Sequence, residues 1–138
     1  MRKFWLYSFL FFTTLVTAQT YDFRNYNVDD GLSQSQVFCI FQDSKGYMWF
    51  GTNGGGASKF DGKKFQSFTP ASGALSNYVF SIAEDKNQNM YFATWDGVQI
   101  TGRYKDIRID STNGLPGNEA NFVYIDKSDK VWIGTKKG

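Results

Sequence analysis

The stretch DSKGYMWFGT, from Asp43 to Thr52, decides the reading of this chain, because it returns twice: as DKNQNMYFAT from Asp85 to Thr94 and as DKSDKVWIGT from Asp126 to Thr135. Trp49, Tyr91 and Trp132 are separated by 42 and 41 residues, and each follows an aspartate by six positions. Outside the stretch the register holds, with Leu32, Leu75 and Leu115 opening each unit and Ile40, Ile82 and Val123 recurring three positions before the aspartates. Matched columns at nearly constant spacing mark an internal repeat, and a repeat fixes architecture before any local propensity does.

Each unit reads as four short strands. In the first copy Gln36–Gln42 is an almost continuous apolar run, expected for a strand buried on both faces. Asp43–Gly46 is a turn, since Asp can bond its own backbone and Gly tolerates positive φ. Tyr47–Thr52, Ala57–Phe60 and Lys64–Thr69 are the remaining strands, linked by the Asn53–Gly56 turn and the tight Asp61-Gly62 hairpin. Alternate strand residues share a face. Trp49 and Gly51 therefore point one way, a ring beside a notch, which suits sheets packed face to face. Four strands in ~40–45 residues with an aromatic signature is the period of a propeller blade. The expected fold is thus all-β: a partial β-propeller of four-stranded antiparallel blades, about two and a half of them. Blade 1 spans 29–70, blade 2 spans 71–112, and an incomplete blade 3 spans 113–138.

The N-terminus reads differently. Arg2 and Lys3 precede an apolar run of 13 residues, Phe4 to Val16, and Val16-Thr17-Ala18 supplies small residues before a cut. This is the layout of a secretory signal peptide over 1–18, too short for the ~20 residues of a membrane span. Of the 15 basic residues, Arg2 and Lys3 would leave with it, so 13 basic face 13 acidic and the apparent basicity disappears. Lys63-Lys64 and Lys136-Lys137 are too short and isolated for nucleic acid. The chain has no histidine and one cysteine, Cys39, which excludes imidazole bases, His-containing triads and disulfide frameworks. No cofactor or metal is expected.

Propellers close with ~4–8 blades, which at this period needs about 168 to 336 residues. The third copy stops after its second strand. The arithmetic predicts an N-terminal piece of a longer protein or a truncated reading frame. Residues 19–28, with Phe23 and Tyr26, resemble a blade's fourth strand and are the candidate closing strand of a last blade.

The carboxylate pairs Asp29-Asp30, Glu84-Asp85 and Asp126…Asp129 lie at strand ends and turns, where Asp stabilises the turn; no catalytic residue is expected among them. Asn53-Gly54-Gly55-Gly56 lacks the Lys-Ser/Thr and helix start of a phosphate-cradling loop, so it reads as a hairpin turn. Trp95-Asp96-Gly97 is either a sugar-stacking platform or a turn under an aromatic lid. With strands running outward from a channel, one rim collects Gln34, Gln36, Asn53, Asn77, Tyr78, Trp95, Asp96, Asn118 and Asn121. Amides with two aromatics suit a small polyhydroxylated, carbohydrate-like ligand.

On Gly31-Leu32, Ile40, Asp43, Gly46 and Trp49–Thr52, and on their echoes at Glu84-Asp85, Tyr91–Thr94, Gly114-Leu115, Asp126 and Trp132–Thr135, the sequence resembles the two-component regulator propeller repeat. The resemblance implies the periplasmic, ligand-sensing region of a two-component signalling protein. It also implies an inner-membrane anchor and a downstream histidine kinase or regulatory domain, and a homodimer in the full-length form. The alternative is an exported propeller acting as an interaction scaffold, or a carbohydrate-active enzyme with its active site elsewhere. One departure stands out: the turn glycine Gly46 becomes Gln88 and Asp129. Gln tolerates a left-handed backbone poorly, so the second blade's turn is expected to place Asn87 or Asn89 in that conformation instead.

Overall fold

A computed structural model describes residues 21–102 and 106–138. The signal-peptide expectation over 1–18 falls outside the described residues. Ten strands form three antiparallel sheets, with no α-helix among the described residues. The first sheet holds β1 (Val37–Gln42), β2 (Met48–Thr52), β3 (Ala57–Phe60) and β4 (Phe65–Phe68) in that order. The second repeats the meander with β5 (Val79–Glu84), β6 (Met90–Thr94), β7 (Gly97–Thr101) and β8 (Ile107–Ile109), and β9 (Ala120–Ile125) pairs with β10 (Val131–Thr135) in the third. These are propeller blades, and every one of the three repeated tetrads lies on the second strand of its sheet.

Blade packing follows from which way alternate residues point. Trp49 sits edge-on to Phe92 of the second blade at 5.5 Å, in a cluster where Cys39, Phe41 and Phe68 meet Val79, Ile82 and Met90. One blade further on, Tyr91, Ala83, Ala93 and Val98 meet Ala120 and Val123. The tetrad's first ring thus faces the following blade, while the isoleucine column faces the preceding one. The notch is used as well: a Cβ on Gly51 would come within 2.5 Å of Cys39 Sγ and 2.7 Å of the Val79 carbonyl. Sandwiched on both sides, the second blade holds the densest burial, all of β6 included.

β1 departs from the expected strand buried on both faces. Its residues alternate, with Phe38, Ile40 and Gln42 exposed, because only its Cys39 and Phe41 side meets another sheet. Ile40 is 61% exposed where its equivalents Ile82 and Val123 are 6% and 2%. The segment 21–27 forms no strand; the Tyr26 ring lies 5.0 Å from Phe60 and 5.7 Å from Phe65 of the first blade, and Asn27 caps a 3-10 turn at Val28–Asp30. A last blade that 19–28 could close is not among the described residues.

Each β1–β2-type turn is held by one aspartate. Asp43 Oδ1 accepts the backbone N–H groups of Lys45 and Tyr47, and its Oδ2 accepts Trp49 Nε1–H. Asp85 does the same for Asn87, Asn89 and Tyr91, with Asn89 Nδ2 added, and Asp126 for Ser128, Lys130 and Trp132. This clasp corrects the expectation for the second turn. Gln88 itself is left-handed at φ +64°, like Asp129 at +65° and Gly46 at +86°. Six hydrogen bonds from Asp85 anchor the turn, including its carbonyl accepting Gln88 N–H and its N–H donating to the Asn89 carbonyl, both at 3.0 Å, and they outweigh the local steric cost of order 1–2 kcal/mol.

Candidate functional site

The loops after each second strand and before each first strand meet at one end of the sheets. Asn53 N–H donates to the Gln36 carbonyl at 3.0 Å and its side-chain amide to Gln36 Oε1 at 2.6 Å. From there Asn53 bridges to Tyr78 of the next blade, and the Asn77 carbonyl accepts both Gly54 N–H and Gly56 N–H, at 3.0 and 2.8 Å. Gly56 is required for this turn: its φ is +71° and any Cβ would collide with the Phe68 carbonyl. Trp95 N–H then donates to the Tyr78 carbonyl at 3.2 Å. Asn53, Asn77, Tyr78, Trp95 and Asp96 therefore form one continuous strip across two blades. Asn118 lies apart, its side-chain oxygen accepting Ser111 N–H, and Gln34 turns onto its own neighbour Ser35.

The innermost strands contribute further residues at this end. The β1–β2 pairing slips between Val37 and Cys39, and the β5–β6 pairing between Val79 and Ser81, leaving Phe38 and Phe80 as bulges. The same slip opposite Gly134 and Thr135 leaves Asn121 in β9. Each bulged residue stands five positions before its clasp aspartate. A bulge re-aims its side chain and strengthens the local twist. Phe38 and Phe80 lie 5.2 Å apart, Phe80 and Trp95 6.3 Å, and Trp95 and Tyr78 6.0 Å, a run of four rings. Trp95 is 50% and Tyr78 43% exposed, and Phe38 is exposed as well. The periodicity of Phe38 and Phe80 was visible in the sequence, but a bulge and a core position have the same spacing.

Chemically, the ledge offers aromatic faces next to the polar loops that carry Asn53 and Asn77. It can stack an apolar ring face and hydrogen-bond hydroxyls around it. The carboxylate pairs do not converge on it. Asp30 accepts Asn27 N–H, Glu84 accepts Ser44 N–H and Oγ–H, and Asp129 accepts Lys86 N–H. Among the described residues no group of three or more His, Cys, Asp or Glu is placed to hold a metal.

Residues 31–54 and 73–96 match the family model described as "Two component regulator propeller". Over 63 residues, 46% of this chain, the sequence is 40% identical to Histidine kinase P4 of Formosa agariphila. The chain is similar in structure to the extracellular domain assigned to the hybrid two component system BT3049 of B. thetaiotaomicron, with a TM-score of 0.71 and 23% identity over 85% of the chain. A second extracellular domain from that organism, BT4673, matches with a TM-score of 0.61 and 24% identity over 78%. Those two likenesses show the fold. The chain spans 4% of the length of the kinase and 17% and 16% of the two domains.

Proposed function

From the two-component regulator propeller repeats at 31–54 and 73–96, we propose that this chain forms the opening blades of an exported, periplasmic sensor propeller. On this reading the remainder of the protein closes the propeller, anchors it in the inner membrane and carries the signal to a histidine kinase. The blades bind and do not catalyse. The ligand is a small polyhydroxylated, carbohydrate-like molecule, and it docks on the ledge of Phe38, Phe80, Trp95 and Tyr78 with Asn53, Asn77 and Asn121 at its margin. One observation carries this: two successive blades each bulge at a phenylalanine, and Phe38 meets Phe80 while Phe80 meets half-exposed Trp95, so that a run of rings reaches solvent at one end of the sheets.

Titrating the full-length protein with a panel of neutral oligosaccharides while following tryptophan fluorescence tests this reading. A binder is expected, with affinity reduced about tenfold or more in Trp95→Ala and clearly reduced in Asn77→Ala. Unchanged affinity in both variants would reject the ledge as the site.

A further inference from the structure

The opposite end of the blades holds a cavity of about 660 Å³, lined by Lys45, Lys86, Asn87, Gln88, Met90, Thr101 and Gly102. Lys45 belongs to the first blade's clasped turn and Lys86 to the equivalent turn of the second, so lysines from neighbouring repeats line one space. Among the described residues, no carboxylate lines it. The nearby carboxylates keep their charge but are hydrogen-bonded to other groups: Glu84 accepts both Ser44 donors, the Asp85 oxygens accept Asn87, Asn89 and Tyr91, and Asp129 Oδ1 accepts Lys86 N–H. Asp126 senses the Lys86 charge, yet its two oxygens are filled by Ser128, Lys130 and Trp132. Among the described residues, the side chains of Lys45, Lys86, Asn87, Gln88 and Thr101 donate no hydrogen bond to another protein group. A space lined by two lysines and by amide and hydroxyl donors offers the groups that an anion takes.

A separate observation points to the same place. Of the three equivalent turn positions, Gly46, Gln88 and Asp129, only Gln88 carries a long side chain, and it does so in a left-handed conformation that costs stability. Gln88 is also the one that lines the cavity.

We propose that this cavity binds a small molecule bearing a tetrahedral oxyanion, a phosphate or sulfate, through Lys45, Lys86 and Gln88. The volume exceeds that of a lone oxyanion and leaves room for an organic body of about monosaccharide size. The site is distinct from the aromatic ledge and independent of what binds there.

Calorimetric titration of the full-length protein at low ionic strength, with inorganic phosphate, inorganic sulfate and glucose 6-phosphate, tests the proposal. Saturable binding of at least one is expected, weakened about tenfold in Lys45→Ala and in Lys86→Ala and unchanged in Lys63→Ala. Tighter binding of the ester than of the inorganic ions identifies an organic anion as the source; equal binding identifies the free ion. Gln88→Gly is expected to raise the melting temperature while weakening the anion, a combination that damage to the fold would not produce. Absence of binding to all three probes, or binding that survives both lysine substitutions, would overturn the proposal.

Discussion

Trp49 donates its indole N–H to Asp43 at 2.9 Å, and the pair recurs as Trp132 on Asp126 at 3.0 Å and as Tyr91 on Asp85 at 3.1 Å. Seven residues of chain close into a ring whose carboxylate holds the turn backbone with one oxygen and the packing side chain with the other. The ring thereby arrives at the blade interface pre-oriented. Trp49 and Tyr91 use that orientation against Phe92 and against Ala120 and Val123.

Removing the clasp in the central blade should be costly. Asp85→Ala strands the donors of Asn87, Asn89 and Tyr91 and is expected to destabilise by about 2–4 kcal/mol, while Tyr91→Phe costs about 1 kcal/mol. Urea denaturation of the full-length protein measures both.

The notch at Gly51 leaves no room for a methyl group. Gly51→Ala is expected to cost about 1–3 kcal/mol by overpacking. Cys39→Ala in the same chain should recover only part, since the Val79 carbonyl still meets the new Cβ at 2.7 Å.

Relieving the left-handed turn should act in the other direction. Gln88→Gly is expected to stabilise by roughly 0.5–1 kcal/mol. Asp129→Gly should gain less, because it surrenders the Lys86 N–H bond at 3.2 Å. Paired thermal melts compare the two.

The clasp also sets a pH dependence at both extremes. Burial alone would raise the Asp85 pKa, but hydrogen bonds from Asn89, Tyr91 and Asn87 more than offset it and hold it below its ordinary 3.8. A depressed carboxylate contributes stability that is complete above 3.8 and is lost as pH falls through the lower folded value. Tyr91 is pushed up to about 12 from 10.0, by burial first and then by the Asp85 charge. Its unfolded form ionises first, so stability should fall between pH 10 and about 12. Denaturation midpoints across pH 2–5 and 9–12 read both limbs; Asp85→Asn should flatten the acid limb.

Burial raises the Cys39 thiol to about 11, so it is a thiol, not a thiolate, at neutral pH. Alkylation at pH 8 should be slow in the native protein and fast in denaturant. Gly51→Ala, which presses on Cys39 Sγ, should speed it by opening the interface between the first two blades.

The sequence by itself determined the repeat, the strand order within each blade and the facing of Trp49 with Gly51. All of these follow from spacing and from the two-residue period of a strand. It also placed Asn53, Asn77, Trp95 and Asp96 in loops at one end, because turn residues announce loops wherever they occur. Only the tertiary structure decided the rest. Phe38 and Phe80 join Trp95 because one residue slips in the β1–β2 and β5–β6 pairings, and a slip is a property of two strands together. Gln88 takes the left-handed backbone because Asp85 secures the turn on every side. Lys45 and Lys86 share a cavity because two clasped turns come side by side. Spacing along one chain encodes which residues share a face; which residues share a space is settled by how neighbouring sheets pack.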